Sequence, residues 1–186
     1  MPLTVTLEFS DRELEHFRTL MLGVRDRAEK RSPGEIAAAA VAEVERLRSA
    51  ARSPFVARRI DCVGRLIAML QDPEWALPEP ERRRVLDGLA YVAEANDLVP
   101  DNVPVLGLLD DAIMLELVLR ELRHELDGYE EFDAFRRDEA ALRDKPDAHR
   151  PVSRVDWLQS QREALHARIR ERRERDLARD GEAFSL

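Results

Sequence analysis

Apolar positions recur along this chain at helical spacing almost everywhere, and the exception stands at the start. Leu3, Val5, Leu7 and Phe9 alternate with Thr4, Thr6 and Glu8, the period-two pattern of a short half-buried strand. Ser10 followed by Glu13 forms a capping box, after which Leu14, Phe17, Met21 and Val24 predict a first helix to about Lys30. Ser32-Pro33-Gly34-Glu35 repeats the start signal, with proline where a first helical residue needs no N–H, and opens an Ala- and Glu-rich helix from Ile36 to Arg48. Ser53-Pro54 opens a third through Phe55, Ile60, Val63, Leu66, Ile67 and Leu70, which breaks at Gln71-Asp72-Pro73 and again around Pro78 and Pro80.

A fourth helix is expected from Glu81 to about Asn96 on Val85, Leu86, Leu89, Tyr91 and Val92, and a fifth from Leu108 to Leu126. After Gly128 the character changes. Tyr129 to Leu142 is amphipathic but poor in apolar residues, Arg143 to Pro151 reads as a polar connection, and Ser153 starts a last helix. Its Val155, Leu158, Leu165, Ile169 and Leu177 share a stripe amid dense charge, so it is expected to project or to pack on a partner. The expectation is an all-α bundle of five to six helices with a short N-terminal strand. Three parts follow from it: residues 1–52 as a possible association element, 53–128 as the helical core, and 129–186 as a polar connection with a C-terminal amphipathic helix.

Composition supports helix-on-helix packing, because 44% of the residues are apolar but only 5% aromatic, which leaves the core to Leu, Val, Ile and Ala. Charged residues reach 37% with both signs interleaved and a formal net charge of -8, a balance that disfavours a nucleic-acid-coating surface. Residues 1–52 carry nine basic and nine acidic side chains and residues 53–128 eight and fifteen, so the acidity gathers in the middle. Cys62 is the lone cysteine, which excludes an intrachain disulfide and fits a reducing, cytoplasmic setting. The N-terminus lacks the basic start and apolar run of a secretory signal. The most apolar stretch, Leu98 to Leu119, is interrupted by Asp101, Asn102, Asp110, Asp111 and Glu116 and does not read as a membrane span.

The most specific stretch is Asp97-Leu98-Val99-Pro100-Asp101-Asn102-Val103-Pro104-Val105-Leu106-Gly107-Leu108-Leu109-Asp110-Asp111. Pro100 and Pro104 fix φ and push Val99 and Val103 towards extended backbone, so this loop between two apolar helices should hold one shape at low entropic cost. Gly107 permits the turn into the next helix. In order and spacing, Asp97, Pro100, Asp101, Pro104, Gly107, Asp110 and Asp111 resemble the core of the YkvA domain family, over roughly Arg82 to Leu126. The chain departs from that pattern at Glu94-Ala95-Asn96, where relatives commonly carry Ser-Pro. The resemblance implies a mainly bacterial helical domain, often in proteins with apolar or membrane-associated segments, without agreed catalytic residues.

Two readings of the acidic residues compete. Asp97, Asp101, Asp110 and Asp111 could converge on a hard divalent cation through oxygen ligands, at a spacing that is not that of an EF-hand. Alternatively Asp97 and Asp101 cap backbone amides while Asp110 and Asp111 occupy a first helical turn, where each gains about 0.3 to 1 kcal/mol from the helix dipole. Arg82, Arg83 or Arg84 would then pair with them. The structural reading is the stronger, and the seven residues are expected to form a clasp with no cofactor.

Three further constellations point away from chemistry. Glu13 and His16, Glu121 and His124, and Glu163 and His166 share the i, i+3 spacing of di-iron bundles, but helical angles turn Glu121 and Glu163 away from the apolar stripes and predict solvated pairs. The strand and two helices at the start follow the order of ribbon-helix-helix proteins, yet Thr4, Thr6 and Glu8 offer no cation to DNA. Cys62, between Ile60 and Val63, reads as a small buried hydrophobe, and no glycine-rich phosphate loop or nucleophile elbow appears. The expected function is a non-enzymatic interaction or scaffold module, a homodimer or protein partner through the N-terminal strand or the C-terminal helix, with a cation-dependent activity and a peripheral membrane role as alternatives.

Overall fold

In the computed structural model the described residues are 31–51, 53–93, 109–143 and 153–180, together with Ser10 and Thr19. They form six helices: α1 (Pro33–Ala50), α2 (Pro54–Gln71), α3 (Glu79–Ala93), α4 (Leu109–Glu121), α5 (Arg123–Arg143) and α6 (Arg154–Asp180). No strand occurs among the described residues, and the strand expected over Leu3 to Phe9 lies outside them. Thr19, within the span of the expected first helix, is helical.

The start signals act as the sequence requires. Ser32 Oγ accepts from Glu35 N at 3.3 Å while Ser32 N donates to Glu35 Oε2 at 2.7 Å, a complete capping box with Pro33 at the first turn. The Ser32 side chain and backbone hold the Glu35 carboxyl below its ordinary range. Ser53 accepts from Phe55 N at 3.2 Å ahead of Pro54, and Ser153 accepts from Asp156 N at 3.1 Å. Each cap satisfies a backbone donor that the first turn leaves without an intrahelical partner.

On α1 the residues Ile36, Ala40, Val44 and Leu47 face the core, and on α2 Val56, Ile60, Val63, Leu66 and Leu70 do. Helices α1, α2 and α4 all pack against α3. Burial there reaches Val85, Leu89, Ala90 and Tyr91, and it pushes the Tyr91 phenol well above its usual range. Gly88 lets α4 come close: a Cβ at that position would lie 2.8 Å from Leu122 Cδ1 and 3.1 Å from Val118 Cγ1. Cys62 is half-buried against the core.

The break between α4 and α5 falls at Leu122, not at Gly128. Leu122 N still donates to Val118 O and Leu126 N to Leu122 O, both at 3.0 Å, so the chain continues past Leu122 with little interruption of its ladder. Helix α5 then runs through Gly128 because that glycine serves packing rather than termination. A Cβ there would sit 2.5 Å from Ile169 Cδ1.

Helices α5 and α6 are antiparallel. Arg154 meets Glu139, Arg168 and Arg172 meet Glu131, Arg173 meets Glu125 and Asp176 meets His124, so residue numbers rise along one helix as they fall along the other. The expected projection of the last helix does not occur over its middle: Leu158, Leu165 and Ile169 are buried within the chain. Val155 and Leu177, near its two ends, stay exposed. No helix among the described residues is long and apolar enough to cross a membrane.

Candidate functional site

The described end of the acidic stretch begins at α4. Asp111 lies in its first turn, as the sequence places it, and is buried. Arg46 of α1 reaches its carboxylate, Nη2 to Oδ2 at 3.4 Å, and Arg46 is itself held by Glu43 at 2.6 Å. Asp111 thus ties α4 to α1. Asp110 is helical, and its side chain lies outside what is described, as do Asp97, Pro100, Asp101, Pro104 and Gly107 altogether.

Two of the arginines expected to answer these acids, Arg82 and Arg84, have other partners among the described residues. Arg82 Nη1 donates to the Leu70 carbonyl at 3.0 Å, closing the end of α2. Arg84 lies between α4 and α5, with Nη2 on Glu121 Oε1 at 2.9 Å and Nε on Glu125 Oε1 at 3.3 Å. Arg59 of α2 binds Glu116 of α4 at 2.7 Å. Local spacing could not have found Arg46 or Arg59, because both come from helices far away in sequence.

A second polar centre surrounds the turn after α2. Asp72 Oδ1 accepts from Glu74 N at 2.9 Å and Trp75 N at 3.1 Å, while Oδ2 accepts from Tyr129 Oη at 3.0 Å and Arg136 Nη1 at 2.6 Å. Burial would raise this carboxyl, but the Trp75 amide, the Tyr129 hydroxyl and the Arg136 charge together hold it below its ordinary value. Tyr129 is pushed up to about 12, first by burial and then by its bond to Asp72. The turn delivers Trp75 into the interior, fully buried, with ring centroids 5.1 Å from Phe132, 5.7 Å from Tyr129 and 4.3 Å from His166. Ala76 then takes a positive φ of 45°.

Of the three Glu–His pairs, Glu13 and His16 lie outside the described residues, and neither of the other two is a solvated pair. Glu121 is mostly covered and bound to Arg84, and His124 Nε2 lies 2.8 Å from Asp176 Oδ2. Glu163 does face solvent, but His166 is buried edge-on against Trp75. Burial, with Arg162 and Arg170 nearby, lowers its pKa to about 4, so the ring is neutral near pH 7. The helical angle failed for His166 because Trp75, read from sequence as part of a break, widens the buried face of α6.

Glu81, Glu125 and Glu139 are also buried, each facing an arginine of α6: Arg170 at 3.8 Å, Arg173 at 3.8 Å and Arg154 at 3.3 Å respectively. Glu81 Oε2, Glu125 Oε2 and His166 Nε2 have no hydrogen-bond partner among the described residues. Even so, the described residues contain no group of three or more His, Cys, Asp or Glu able to hold a metal ion. Chemically these groups join helices: arginine from one element neutralises carboxylate from another.

A family model for a protein of unknown function (DUF1232) matches residues 85–117, from the middle of α3 to the middle of α4. No curated protein and no solved structure matches the chain. By that match, the segment carrying the proline- and aspartate-rich stretch is similar to a family whose function is undetermined.

Proposed function

We propose that this chain is a non-enzymatic helical interaction or scaffold module of YkvA-like type that associates with copies of itself. The observation that carries this reading is where the charge of α4 and α5 goes. Asp111, Glu116, Glu121 and Glu125 are each tied to an arginine of another helix, Arg46, Arg59 or Arg84. Charge used in this way fixes the mutual placement of helices and leaves Asp111 engaged with Arg46 rather than open to a cation. A rigid body of this kind suits the presentation of surfaces.

Light scattering on the full chain at micromolar concentration tests the reading. A mass above that of one chain is expected, falling when Met1 to Phe9 or the helix after Ser153 is removed. A single-chain mass throughout would overturn self-association. A saturable calorimetric signal with magnesium, calcium or manganese that disappears in Asp101→Asn and Asp110→Asn would overturn the non-enzymatic, structural reading of the acidic stretch.

A further inference from the structure

We draw no further inference here: the strongest candidate, the cluster of buried carboxylates Glu81, Glu125 and Glu139 along the seam with α6, belongs to the helix-joining contacts already described, each facing an arginine of that helix.

Discussion

Replacing Gly128 with alanine separates two opposing effects that the structure makes calculable. Alanine is a better helix former than glycine, which by itself would stabilise α5 by about 1 kcal/mol. The new Cβ, however, would stand 2.5 Å from Ile169 Cδ1 and 2.9 Å from Cγ1, separations that neighbouring atoms must yield to. Ile169 is fully buried and β-branched, so its χ1 has little room to turn, and overpacking of this kind costs about 2 kcal/mol. Gly128→Ala should therefore destabilise by about 1 kcal/mol net. Ile169→Val removes Cδ1, the nearer contact, and alone should cost about 1 kcal/mol. In the double variant the Cδ1 contact is gone while the Cγ1 contact at 2.9 Å and the helix-forming gain remain, so its stability should match that of either single variant rather than their sum, a coupling of about 1 kcal/mol. Urea denaturation of the four proteins, with equal m-values required, measures the cycle. A double variant as unstable as the two singles together would refute the knob-in-gap packing of α6 on α5.

Arg84→Met should destabilise by about 3 kcal/mol in denaturant titration, because it leaves the fully buried Glu125 with Arg173 alone at 3.8 Å, and Glu125→Gln added to it should restore part of that loss. Trp75→Ala should cost about 3 to 5 kcal/mol and remove the near-ultraviolet dichroism of the Trp75, Tyr129 and Phe132 cluster. Ala76→Gly should raise stability by up to about 1 kcal/mol, since glycine takes a φ of 45° without the crowding that Cβ meets there. For His166, burial and the flanking Arg162 and Arg170 lower the folded-state pKa from 6.5 to about 4, so the unfolded chain takes up the proton first. Its contribution is complete above pH 6.5 and is lost as pH falls towards 4; His166→Phe should flatten the stability profile in that window, and an unchanged slope would refute the placement.

The helices were legible because their signals are local. Ser32, Ser53 and Ser153 each precede a helix and cap it, and Pro33 and Pro54 sit where a first turn tolerates them. The interruption at Gln71-Asp72-Pro73 was equally plain. What it delivers was not, because the burial of Trp75 depends on Tyr129, Phe132 and His166 from two distant helices. Gly128 misled for the same reason: a glycine that ends a helix and one that admits a neighbouring side chain look alike in one dimension. Of the acidic stretch, the burial of Asp111 shows how far local reading reaches. Its helix-start position followed from sequence, whereas Arg46, 65 residues away, had to come from the fold.

These long-range pairings bear on what the DUF1232-like segment can be by itself. Its two helices meet across Gly88, whose missing side chain leaves room for Val118 and Leu122. That contact covers one face of α3, and the burial of Val85, Leu86, Leu89 and Val92 depends on α1 and α2 as well. The segment's acids are also neutralised from outside it: Asp111 by Arg46 of α1 and Glu116 by Arg59 of α2. Without those helices the segment would expose apolar surface and leave Asp111 and Glu116 without these arginines, two effects that both oppose folding. The flanking helices α1 and α2 are thus part of the folding unit, and a surface on either is coupled to the segment's own geometry. Displacing one of these helices therefore carries the others with it.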